Sequence, residues 1–124
     1  MPSALFRKAF EYSRRHYDSV AILSAKFGLL LPDEEIEPYE LTLNTMGKSQ
    51  RKKWSVRVLN QLEAKIGLGN IEEVYFHAGM KYREFIILKL ESRGISCRVP
   101  LEGLQFGHQL NWYDEKAQSA PYRI

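Results

Sequence analysis

Apolar residues along the chain either recur about every four positions or gather in short uncharged runs, and this pattern divides it into alternating helices and strands. Ser3 can cap a first helix reaching about Arg15. Leu5, Phe6, Phe10 and Tyr12 form its apolar face, and Arg7, Lys8, Glu11, Arg14 and Arg15 face outward. Ser19 to Leu23 is short, uncharged and partly β-branched, which predicts a strand buried on both faces. Ser24 to Gly28 reads as a turn beyond it, and Pro32 and Pro38 bar regular structure between Leu31 and Leu43.

Within Lys48 to Ile66, Trp54, Val58, Leu62 and Ile66 recur every four residues and Leu59 widens the stripe, so a second helix is predicted, ended by Gly67 and Gly69. Glu73 to His77 is a second strand, punctuated by Ala78 and Gly79. Lys81 to Arg93 is a third helix with Gly94 as its C′ residue, and Ile95 to Val99 is a third strand stopped by Pro100. A last helix runs from Leu104 to about Lys116. Helix and strand thus alternate with connections long enough to hold a helix. The expectation is one α/β domain over residues 1–124: a small three-layer α/β/α arrangement with a mostly parallel sheet of three or four strands.

Charge changes this picture more than composition does. The chain has 124 residues and a formal charge of +3, with a pI near 9.0. Asp33, Glu34, Glu35, Glu37 and Glu40 fall within eight residues; the other ten acids face eighteen lysines and arginines, so the remainder of the chain carries +8. A basic body carries one acidic loop. No apolar run approaches the roughly 20 residues that cross a bilayer, and the N-terminus lacks the apolar stretch of a signal peptide. A membrane partner is therefore not expected. The lone Cys97 excludes an internal disulfide framework and fits a reducing, cytoplasmic setting. His16, His77, His108 and Cys97 have no ligand-like spacing, so neither a metal nor a cofactor is expected.

In an open parallel sheet, ligands bind beyond the carboxyl ends of the strands. Three unusual segments would meet there: Ser24 to Gly28, His77 to Gly79, and Pro100 to Gly103. Lys26 could hold a phosphate or sit solvated in a turn. Ser24 could donate to a ligand or close the turn. His77 and Gly79, ahead of a helix, could cradle an anion, or His77 could be a hydrogen-bonded structural residue. His108 could read a base edge, or its segment could pack the last helix down.

Pro-stiffening lets the acidic loop aim Asp33 or Glu37 at a substrate as general base or oxocarbenium stabiliser, with Tyr39 stacking on a base or sugar. Beside the loop, Lys48, Arg51, Lys52 and Lys53 open the second helix. Cations there oppose the helix dipole by some tenths of a kcal/mol each. Either they serve a polyanion such as nucleic acid or they pair with the neighbouring acids.

The segment Ser24-Ala-Lys-Phe-Gly-Leu-Leu-Leu-Pro-Asp-Glu-Glu-Ile-Glu-Pro-Tyr-Glu-Leu-Thr-Leu43 resembles the hallmark of a bacterial and phage family catalogued as a domain of unknown function, S-A-K-Y/F-G-L-x-x-P-x-x-x-I-x-P-Y-D/E-x-T-L. Ser3 to Phe10, Arg51 to Trp54, the His77 to Gly79 turn and the glycines at 103 and 107 resemble it too, so the likeness covers nearly the whole chain. More distantly, the loop is similar to the L-S-x-x-Y-G-L-L-R-P-x-x-x-I-x-P-Y-R segment of YaaA-type peroxide-stress proteins, which are associated with DNA binding and oxidative-damage protection. The shared positions are Ser24, Gly28, Leu29, Leu30, Pro32, Ile36, Pro38 and Tyr39, whereas Lys26 belongs to the nearer family.

Family members usually begin with an additional strand, and this chain starts at the helix. If that strand supplies part of the pocket, the resemblance implies either a shortened form or a lost activity, with a sheet edge left exposed to a second copy. Two functions follow as expectations. One is an enzyme of nucleotide or nucleic-acid metabolism acting on an N-glycosidic bond, with Glu37 or Asp33 at the ribosyl cation. The other is a non-catalytic DNA-binding, stress-associated domain using the basic body.

Overall fold

The computed structural model describes residues 4–33 and 46–119. The chain divides into two compact units, Met1–Val20 with Leu101–Ile124, and Ala21–Pro100. The fold is mixed α/β, and no helix among the described residues is long and apolar enough to cross a membrane.

The first unit pairs α1 (Ala4–His16) with α4 (Phe106–Ser119). Ala9 and Ser13, one turn apart on α1, are buried. Leu5, Tyr12, Leu104 and Trp112 pack around Ala9, Leu101 and Tyr113. Lys8 reaches Asp114 as an ion pair between the two helices. Burial holds the Tyr113 phenol above its ordinary pKa, with the neighbouring Tyr12 adding to the shift. Phe10, expected on the apolar face, is half-buried, and Phe6 is exposed and stacked on it at 6.1 Å.

In the second unit β1 (Ile22–Ser24) turns back at once into β2 (Gly28–Leu30), and the two pair antiparallel with Leu23 opposite Leu29 and Ser24 opposite Gly28. Then come α2 (Lys48–Lys65), a 3₁₀ turn (Leu68–Asn70), β3 (Glu73–Tyr75), α3 (Met80–Glu91) and β4 (Ser96–Arg98). β3 and β4 pair in parallel, Val74 opposite Cys97, with α3 as the crossover. Trp54, Val58, Leu59 and Leu62 of α2 meet Ile86 and Leu90 of α3, Leu29 of β2 and Phe76 in one core.

The β3-α3-β4 unit is the parallel element that the alternation predicts. Gly94 adopts φ +81° just past the end of α3, where the Ile95 amide returns to the Leu90 carbonyl at 3.1 Å. The first strand differs from expectation. Among the described residues the strands form two separate two-stranded sheets, and β1 belongs to the antiparallel one rather than to a parallel sheet of three or four strands.

The reason is local chemistry in the segment read as a turn. Ser24 Oγ accepts the Phe27 amide at 3.0 Å, and Gly28 takes φ +81°, so the chain reverses within a few residues. Leu29 and Leu30, buried, then form a strand that the nearby Pro32 conceals in the sequence.

Candidate functional site

The turn between β1 and β2 is held to α2 by a single row of side chains. Trp54 Nε1 donates to the Ser24 carbonyl at 2.8 Å, and Arg57 donates to the Lys26 carbonyl at 2.9 Å. Gln61 Nε2 donates to the Phe27 carbonyl at 2.9 Å while its Oε1 accepts the Leu29 amide at 2.8 Å. Lys65 Nζ donates to the Leu29 carbonyl at 2.9 Å. Positions 54, 57, 61 and 65 share one face of a 3.6-residue helix, so a polar row beside the apolar stripe satisfies the hairpin's backbone. Ser24 is buried within this attachment, with its hydroxyl engaged in closing the turn. Lys26 is exposed at the tip, its ammonium 5.2 Å from the centre of the Phe27 ring.

A second set of contacts joins α2 to α3. Arg51 forms an ion pair with Glu84; its side chain is 15% exposed and that of Glu84 32%. The Arg51 Nε is buried with no hydrogen-bond partner among the described residues. The Arg51 guanidinium and the Lys52 ammonium lie 5.8 and 5.6 Å from the centre of the Phe85 ring, within cation–π range. Trp54 meets Tyr82 edge-on at 5.7 Å between centroids. The Tyr82 amide donates to the Gly79 carbonyl at 3.0 Å, and Arg83 Nε donates to the Ala78 carbonyl at 3.2 Å. Through Trp54 and Tyr82 the structure links the carboxyl end of β1 to the turn that follows β3.

His77 stands in that turn. Desolvation lowers its pKa to about 4, so the ring is neutral at physiological pH and can donate or accept a hydrogen bond without carrying charge. Gly79 is the N-cap of α3 with an extended backbone and no side-chain cap.

The run Lys48 to Lys53 does not form one patch. Arg51 turns to Glu84, and Lys52 sits against Phe85 on α3. Lys53 lies one turn before Arg57, on the side of the helix toward the hairpin. Lys48, Lys52 and Lys53 are exposed. Their expected neighbours in the acidic loop, together with Glu37 and Tyr39, lie outside the described residues. Asp33 is exposed, just after β2. His108 is exposed on α4, in the other unit. Of the third expected segment, Pro100 ends one unit and Leu101 begins a stretch of the other. A shallow groove lined by Leu68, Ile71, Glu72, Arg93 and Ile95 lies at the opposite, N-terminal ends of β3 and β4.

Sequence reasoning took Trp54 for core alone and did not single out Arg57, Gln61, Lys65, Tyr82 or Glu84. A signal for the first three was present: polar residues at helical spacing from Trp54, flanking the stripe of Val58 and Leu62. Chemically the assembled face offers ammonium and guanidinium groups, aromatic rings and one carboxylate, a set suited to holding anions.

No curated protein and no solved structure matches the chain. A model of a family of unknown function (DUF6884) matches residues 1–115, and the chain belongs to that family.

Proposed function

We propose that this protein binds the phosphate groups of nucleic acid or nucleotides through the cations of α2. The observation that carries the reading is the charge on that helix. Lys48, Arg51, Lys52, Lys53, Arg57 and Lys65 stand against a single acid, Glu63, and the first turn has neither an acid nor a side-chain cap. Cations at an uncapped helix N-terminus are a local electrostatic cost that a bound polyanion reverses.

The likeness of the loop from Ser24 to Tyr39 to YaaA-type peroxide-stress proteins supports the same reading, because those proteins are associated with DNA. The finer expectations travel with the proposal: a three-layer arrangement with a larger, mostly parallel sheet, a cytoplasmic setting, and pairing of two copies through a sheet edge. The thiol of Cys97 is held above its ordinary pKa by burial and by the charge of Glu91, so it is a poor nucleophile.

The catalytic version places Asp33 or Glu37 at an N-glycosidic bond. Asp33 is exposed just after β2, and Glu37 lies outside the described residues. The test is fluorescence anisotropy with labelled DNA at several salt concentrations. Binding should weaken steeply with salt and weaken further in a Lys48→Ala/Lys52→Ala/Lys53→Ala variant. Identical affinity in the variant, or no binding by the parent, removes the proposal. Release of free base by the parent, lost in Glu37→Gln, would favour the catalytic version.

A further inference from the structure

We infer that Lys26, Lys53 and Arg57 together form a phosphate-binding site on the hairpin side of α2. It rests on the reading that this helix binds nucleic acid or nucleotides, and it names residues and a place that the charge of the helix alone does not. Three observations lead to it.

First, the guanidinium on the α3 side of the helix is already engaged: Arg51 is paired with Glu84. Second, Glu63, the acid of α2, is turned to the helix's C-terminal end, where its Oε2 accepts the Leu68 amide at 3.0 Å. Third, the hairpin tip is held in register with the helix. The Arg57 bond to the Lys26 carbonyl at 2.9 Å fixes the backbone of residue 26 beside a guanidinium, and Lys53 lies one turn, about 6 Å, back along the axis.

One N–H of Arg57 serves that carbonyl, and a guanidinium has five. Arg57, Lys26 and Lys53 are all exposed, and the Arg57 bond to the Lys26 backbone with the one-turn spacing of Lys53 puts the three residues at neighbouring positions on two elements. Phosphate oxygens are the ligand for such a set: the planar guanidinium clasps two oxygens while the ammonium groups act as point charges. Rigidity matters here. Gln61, Lys65 and Trp54 bind the rest of the turn, so the Lys26 backbone is in place before ligand arrives.

The phosphate could belong to a nucleic-acid backbone or to a free nucleotide, and the experiment separates these. Anisotropy is measured with a labelled DNA duplex from 50 to 300 mM salt for the parent, Lys26→Ala, Lys53→Ala and Lys26→Arg, with circular dichroism confirming unchanged melting. Each alanine change should lower the slope of log K against log salt by about 0.9, and Lys26→Arg should restore it. Competition by inorganic phosphate or a nucleoside triphosphate at micromolar concentration would assign the site to free phosphate groups; competition at high millimolar concentration alone assigns it to the backbone. Unchanged slopes in both alanine variants, with the triple change at Lys48, Lys52 and Lys53 still weakening binding, overturn this site and leave the α2 reading standing. Absence of binding to DNA, nucleotide and phosphate by the parent overturns both.

Discussion

Gln61 occupies the space that a side chain on residue 28 would need: a β-carbon on Gly28 would lie 2.1 Å from its Oε1. Gly28 also holds φ +81°, so two independent constraints meet at one position. Gln61 is flexible enough to swing away, but doing so breaks its bonds to the Phe27 carbonyl and the Leu29 amide.

Gly28→Ala should therefore destabilise by about 3–4 kcal/mol, with about 1–2 from the backbone and about 1 for each of the two hydrogen bonds lost. Gly94→Ala, at the same φ but with open space around it, should show the backbone part alone. Denaturant midpoints compare the two. Equal losses would mean that Gln61 does not hold the turn.

Trp54 joins the hairpin to α3 as well as filling the core. Trp54→Phe keeps an aromatic ring but deprives the Ser24 carbonyl of its donor, and a loss of about 1–3 kcal/mol is expected. Thermal and chemical unfolding measure it. A neutral substitution would show that water replaces the indole N–H.

Arg51 and Glu84 should couple. The pair is largely removed from solvent, so a double-mutant cycle with Arg51→Met and Glu84→Gln should give an interaction energy of about 1–2 kcal/mol, above the range of surface pairs. Arg51→Met should also alter DNA affinity less than Lys53→Ala, because its charge is already matched. A coupling near zero, or a larger binding loss at Arg51, would contradict the geometry.

His77 predicts a pH dependence. Its folded pKa is about 4 against an ordinary 6.5, so between these values the unfolded chain binds more protons than the folded one. Stability from this group is present above about pH 6.5 and is lost as pH falls toward 4. Melting temperature should drop between pH 7 and 5, and the drop should be smaller in His77→Gln. Parallel curves for the two proteins would assign the pH effect elsewhere.

The parts of the fold legible in sequence are those whose signals are local. The apolar period of α2, the glycine that follows α3, and the short runs flanking it mark the β3-α3-β4 unit to within a few residues. β2 was not legible, because what makes it a strand is a bond from the Phe27 amide to Ser24 Oγ and side chains of α2 far along the chain. The cations of Lys48 to Lys53 were legible as charge but not as geometry. A rotation of about 100° per residue distributes neighbours in sequence around the helix, sending Arg51 to Glu84 and Lys53 toward the hairpin.

The attachment of the hairpin has a kinetic consequence. Each strand is three residues long, too short for a hairpin to persist by itself, and its anchors on α2 lie 30 to 36 residues later in the chain. The Phe27 amide can close the turn locally on Ser24 Oγ, but the two strands should persist only once α2 is docked against them. The hairpin's amide protons should then exchange with solvent at the same rate as those of α2, the two opening together as one cooperative unit.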